Sequence, residues 1–133
     1  MITGTGPDIR AIVTKAEDKL KTARLDFANG QYDDAVSRAY YAVYHMITAA
    51  LFSREQVYSS HAQTIGAFNR DFVKTGIFPK EFTRMIQGLF EDRQAGDYDV
   101  IWRIDQATAQ ADIAYAETIC TAVKTYLADC DAQ

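Results

Sequence analysis

Apolar residues recur every three to four positions along almost the whole chain, and no segment alternates convincingly as a strand does. Over residues 8–28, Ile9, Ile12, Val13, Ala16, Leu20, Ala23 and Phe27 make one stripe, while Lys15, Glu17, Asp18, Lys19 and Lys21 face water. This predicts a first amphipathic helix, stopped by Asn29-Gly30 in a left-handed turn. A second helix is predicted from Tyr32 to about Ser53, with Asp33 and Asp34 at its positive end. Ser60 and Gln63 have capping-box spacing and mark a third helix running to about Lys74. Gly76 and Pro79 punctuate the next turn, with Ile77-Phe78 as its apolar anchor. A fourth helix is predicted over 81–94, with Phe82, Met85, Ile86, Leu89 and Phe90 inward, broken by the run from Ala95 to Asp99. After Val100-Ile101-Trp102-Arg103, Asp105 is a good N-cap for a fifth helix. Its inward residues are Ala107, Ala111, Ala114, Tyr115, Ile119, Ala122, Val123 and Leu127. Its many alanines allow close approach and predict a central position. Phe68 and Phe72 join Phe78, Phe82 and Phe90 as core. The expected fold is an all-α, antiparallel, up-and-down bundle of about five helices.

Length and charge narrow the class. At 133 residues, 48% hydrophobic and 24% charged, the chain reads as a single globular domain over 1–133, with 1–7 a flexible lead. A net charge of −4 argues against a general, sequence-independent nucleic-acid binder. It leaves room for a local cationic site where two subunits meet. Cys120 and Cys130 form no metal-binding spacing and read as free, buried thiols of a reducing cytoplasm. The first residues lack the basic and apolar regions of a secretory signal, and no apolar run is long enough to span a bilayer. A cytoplasmic protein is expected, without membrane contact, metal or cofactor.

The chemistry concentrates in Ser37-Arg38-Ala39-Tyr40-Tyr41-Ala42-Val43-Tyr44-His45. Seven positions at about 100° each bring His45 within roughly 20° of Arg38, about 10 Å along the helix. An arginine can hold a phosphate and a histidine can move a proton near pH 7. Tyr41 lies between them, flanked by Tyr40 and Tyr44, which adds phenolic donors and aromatic faces. The plainer alternative pairs Arg38 with a carboxylate and makes His45 a satisfied, half-buried polar group. His61, just after the Ser60 cap, is either a second polar site or a surface histidine. Arg93 with Asp97-Tyr98 either pins the following loop or lines a cleft opposite Arg38.

Gly30-x-Tyr32-x-x-Ala35-x-Ser37-Arg38-Ala39-Tyr40-Tyr41-Ala42-Val43-Tyr44-His45 resembles the core of HEPN domains, the higher eukaryote and prokaryote nucleotide-binding family. Ser60-His61, Phe72-Val73-Lys74-Thr75-Gly76 and Leu89-Phe90-x-x-Arg93-Gln94-x-x-Asp97-Tyr98 continue the resemblance in order, over roughly residues 28–98. It implies a homodimeric helical bundle of the prokaryotic stand-alone type, similar to toxins paired with a small nucleotidyltransferase antitoxin. It further implies metal-independent RNA cleavage with His45 and Arg38 as catalytic residues. Ser37, Tyr41, Tyr44, His61, Arg93 and Tyr98 would be supporting or binding groups. Family members with nuclease activity often carry Asn, Asp or His directly after the arginine, where this chain has Ala39. The tyrosine that such partners modify, two positions after the histidine, is here Ile47. Three functions therefore compete: a toxin-type ribonuclease acting on RNA or a nucleotide, a non-catalytic nucleotide- or partner-binding module, and a structural homodimeric protein.

Overall fold

The computed structural model describes residues 7–98 and 103–132. They form α1 (Pro7–Ala28), α2 (Tyr32–Phe52), α3 (His61–Phe68), α4 (Glu81–Tyr98) and α5 (Gln106–Ala132). A π-helical stretch, Asn69–Val73, extends α3, so the expected third helix is present with its last turn widened. No strand occurs among the described residues, and the architecture is an all-α bundle. None of these helices is long and apolar enough to cross a membrane. Positions 1–6 of the expected flexible lead, and the loop positions 99–102, lie outside the described residues. Pro7 opens α1, where a missing N–H is harmless.

The α1–α2 hairpin closes as the sequence predicts. Gly30 adopts φ 76°. The Gln31 N–H donates to Asp26 O at 2.8 Å and the Gly30 N–H to Phe27 O at 3.1 Å, completing a left-handed helix stop. α2 then runs back antiparallel to α1. Asp33 does more than face the helix dipole, because its Oδ1 accepts the Ile104 N–H at 2.8 Å and ties the approach to α5 onto the start of α2.

α2, not α5, is the central helix. It packs against α1, α3, α4 and α5 and buries Ala35, Val36, Ala39, Tyr40, Ala42, Val43, Met46, Ile47, Ala49, Ala50 and Leu51. Alanine at five of these positions lets the neighbouring helices come close. α5 also takes a different phase in its first half. Ala109, Ile113 and Ala116 are buried, whereas Ala107, Ala111 and Ala114 are exposed. The larger Ile113, Ile119, Val123 and Leu127 fix the inward face, and alanine is too small to outvote them.

Two other expectations change. α4 does not break at Ala95 but continues to Tyr98, since the Arg93–Asp97 ion pair at 3.1 Å spans the glycine. A Cβ at Gly96 would sit in ordinary contact with Ile104 Cγ1 at 3.4 Å and Asp33 Cβ at 3.5 Å, so this part of α4 packs on the start of α2. In the turn before α4, Phe78 is buried among Phe68, Phe72 and Phe82, while Ile77 is 40% exposed and anchors nothing. Phe90 is only partly buried at the edge of the core. Cys120 is buried and Cys130, in the last turn of α5, is exposed, and neither forms a disulfide.

Two strained features sit in this frame. Glu55 follows α2 with φ 62°, and the Gln56 N–H closes on Leu51 O at 3.0 Å, a helix stop that glycine makes more easily. Asp112 of α5 is 3% exposed, and its Oδ2 has no hydrogen-bond partner. Burial, then a hydrogen bond and the charge of Asp92, push its pKa up to about 8.

Glu55→Gly should raise stability by about 1 kcal/mol in urea melts, since glycine relieves the left-handed conformation at an exposed site. Folded Asp112 keeps a proton that the unfolded chain releases, so the Asp112 contribution to stability should fall as pH rises from about 4 to about 8 and level off beyond. Asp112→Asn should flatten that dependence in melts recorded across the same range.

Candidate functional site

Because α2 is enclosed on most of its circumference, its polar residues either find partners inside the bundle or leave through one stripe. Arg38 and His45 take the stripe. Arg38 is exposed and has no ion pair or hydrogen bond among the described residues; Ser37 and His45 are half-buried and have no hydrogen bond among them either. Ala39, one position past the arginine, is fully buried in the core. It offers no polar group to the stripe.

The three tyrosines are held from α3 and α4. Arg93 of α4 donates from Nη2 to Tyr41 Oη at 2.8 Å and from Nε to Asp97 Oδ2 at 3.1 Å. Its guanidinium lies 5.3 Å and 5.1 Å from the ring centroids of Tyr40 and Tyr41. With its side chain only 13% exposed, Arg93 positions the tyrosines. The Arg93–Asp97 pair lies within α4, and the loop positions 99–102 that it was expected to pin lie outside the described residues. The Tyr98 side chain lies outside the described residues.

His61 is no surface histidine. Its ring stacks on Tyr44 at 4.1 Å and 22°, and its Nδ1 lies 2.7 Å from Tyr40 Oη. Burial pushes the Tyr40 pKa well up, so the phenol stays protonated, and it shares one proton with Nδ1, the donor being set by the imidazole tautomer. Burial, then Arg93, hold the His61 pKa below the ordinary histidine value. Thr64 Oγ1 donates to Ser60 O at 2.9 Å and accepts from Tyr44 Oη at 3.3 Å. Ser60 in turn caps α3 by accepting the Gln63 N–H at 3.0 Å. The predicted helix start thus fixes the tyrosine platform beneath His45.

His45 is held low by burial first, then by Lys15, Lys19 and His61. The lysines arrive through the hairpin. Lys15 and His45 are each fifteen residues from Gly30, and Lys19 and Tyr41 eleven. Antiparallel pairing about that turn sets α1 cations beside the α2 stripe. Neither lysine has an ion pair among the described residues, whereas Lys124 and Arg24 are matched to Glu17 and Glu117. An acidic protein therefore carries a local cationic face around a neutral imidazole. Such a face can bind phosphate oxygens and let His45 accept a proton.

Beside His45 opens a pocket of about 130 Å³, lined by Tyr44, His45, Thr48, Leu51, Gln56, Val57, Tyr58 and Thr64. Lys15, Lys19 and this pocket escape the sequence reading. Folding the chain about Gly30 on paper finds the lysines; the pocket wall of Gln56 to Tyr58 depends on a loop path that no local pattern announces.

An all-α bundle with a cation-rimmed imidazole is the class that fold and site define. The sequence model of the HEPN domain matches residues 9–126. The chain belongs to the HEPN domain family. It is 32% identical over 115 residues to the UPF0332 protein of Thermotoga maritima, covering 86% of this chain and 87% of that one. It is also 32% identical over 112 residues to a Methanocaldococcus jannaschii protein named "Putative toxin MJ0605", covering 84% and 78%. The crystal structure of TT1696 from Thermus thermophilus has the same fold, with a TM-score of 0.76, 18% identity, and coverage of 90% and 98%.

Arg93→Ala should destabilise the bundle by about 2–3 kcal/mol, because it takes the donor from the half-buried Tyr41 phenol and removes two ring contacts. Arg93→Lys should recover only part of this in denaturant melts, lacking the planar fork.

Proposed function

We propose that this protein is a toxin-type, metal-independent endoribonuclease, with His45 as general base and Arg38 as the cation that stabilises charge at phosphorus. The observation that carries the reading is the α2 stripe: an exposed Arg38, unpaired among the described residues, and an imidazole held neutral by burial and two α1 lysines. Membership of the family and relatives carrying toxin names support it. His45 takes the proton of a ribose 2′-hydroxyl, whose oxygen attacks the adjacent phosphorus. The P–O5′ bond breaks, leaving a 2′,3′-cyclic phosphate, and the departing 5′ oxygen takes a proton from solvent. Arg38, Lys15 and Lys19 offset the charge that grows on the phosphoryl oxygens. The working unit is a homodimer in the cytoplasm, its two stripes facing one cleft, restrained by a nucleotidyltransferase antitoxin. Ser37 and Tyr41 support the pair.

A second reading keeps the face as a nucleotide- or partner-binding module without turnover. Ala39 favours it, since that position lies in the core and supplies no group to orient the pair.

Purified protein should cleave RNA in excess chelator and leave 2′,3′-cyclic ends. His45→Ala should lower the rate by roughly 10²-fold or more, and Arg38→Ala comparably. Activity should be lost as pH falls through the His45 pKa, which lies below 6.5. Equal cleavage by wild type and His45→Ala sinks the nuclease reading. Nucleotide binding without any turnover would establish the second one.

A further inference from the structure

The pocket beside His45 differs in character from the face around it. Its floor is Leu51, 1% exposed, and its lip is Val57, 70% exposed and covered by nothing among the described residues. Tyr44 forms one aromatic wall, braced from behind by the stacked His61 ring, and Tyr58 forms another. Tyr58 Oη donates to Gln56 Oε1 at 2.9 Å, which fixes the amide; its nitrogen gives one N–H to the Asp71 carboxylate and keeps a second as a donor. Thr48 Oγ1 gives its proton to Tyr44 O at 2.9 Å and keeps lone pairs as an acceptor. None of the eight lining residues carries a formal charge when His45 is neutral.

A cavity of about 130 Å³ is well below the roughly 300–1,000 Å³ of sites that enclose drug-sized ligands, so it takes one planar ring system. Flat apolar walls, a donor and an acceptor at the edge, and no charge describe a site for a heteroaromatic ring. Arg70 reaches the Tyr58 hydroxyl at 3.4 Å but is paired with Asp71, and the cations without an ion pair among the described residues lie on the neighbouring stripe with Lys15, Lys19 and Arg38. A ligand that fills both is a neutral ring joined to a phosphate. We infer that this pocket is a nucleobase subsite, which receives the base adjoining the phosphate held at His45 and selects among bases by its edge. This deepens the nuclease reading and rests on it for the phosphate position, while base binding itself needs no turnover.

The outer wall supports the assignment. Gln56, Val57 and Tyr58 follow directly on Glu55, which takes a left-handed conformation that side-chain-bearing residues resist, and the Gln56 N–H closes on Leu51 O at 3.0 Å.

The test is calorimetric titration of the full chain with the four nucleoside 5′-monophosphates and with ribose 5-phosphate, paired with proton spectra. The chain has only two histidines, so the His45 ring signal can be followed directly. At least one nucleotide should bind about tenfold more tightly than ribose 5-phosphate and shift the His45 signal. Thr48→Phe, which fills the pocket, should reduce nucleotides to the affinity of ribose 5-phosphate. Should that variant fail to fold, Val57→Ser at the exposed lip decides by the same ratio, which should fall by about threefold. Overturning results are equal binding of all five ligands, no binding of any, or undiminished discrimination by folded variants. Base-selective binding in a protein that cuts no RNA would keep the subsite and reject the nuclease. RNA cleavage without base discrimination would do the reverse.

Discussion

Enclosure of α2 is the constraint on which the rest depends. α1, α3, α4 and α5 all pack on this one helix, and eleven of its residues are buried. Each large apolar side chain among them contributes roughly 1.5–3 kcal/mol by leaving water. The same enclosure penalises any polar atom that enters without a partner. Tyr40 and Tyr44 meet that demand through His61 and Thr64, and Tyr41 meets it through Arg93. Arg38 and His45 lie where the neighbouring helices part, and among the described residues they are not used up by the fold.

Electrostatics on this face follows from topology rather than from composition. The chain is acidic overall, yet the tight Gly30 turn lays the lysines of α1 along the α2 stripe, where they meet no carboxylate among the described residues. Burial and these cations act in the same direction on His45, and burial with Arg93 does so on His61. Both imidazoles are therefore neutral near pH 7, suited to accept a proton or a hydrogen bond. Arg93 repels protons from one imidazole while bracing the tyrosines that support the other. The loop after α2 carries the complementary property: it is uncharged where it lines the pocket, apolar at its lip, and held by a strained Glu55.

Much of the fold was legible because its signals are local. Gly30 stops α1, Ser60 caps α3, and Asp105 caps α5 through the Thr108 N–H at 2.8 Å. The inward phases of α1 and α4 were legible too, since Ile9, Leu20, Phe82, Ile86 and Leu89 are large and regularly spaced. The phase of early α5 was not, because alanine carries little burial energy in either orientation. The run through Gly96 looked like a break because propensity alone disfavours glycine, whereas Arg93–Asp97 and close packing on Asp33 carry the helix through. Of the candidate site, Arg38, Tyr41 and His45 were readable from helical spacing. His61 could be placed at a helix start, but its stack on Tyr44 joins residues seventeen positions apart.

The sequence by itself determined the helices, their caps, the hairpin and the polar stripe on α2. Each depends on residues within about two turns of one another, where covalent geometry fixes who meets whom. Only the tertiary structure decided which helix is central, which cations surround His45, and which tyrosines are partnered. It also decided that Gln56, Val57 and Tyr58 close a pocket beside the imidazole. Those outcomes depend on long-range packing, in which burial of the large side chains chooses one arrangement and the polar groups must accept the neighbours it brings.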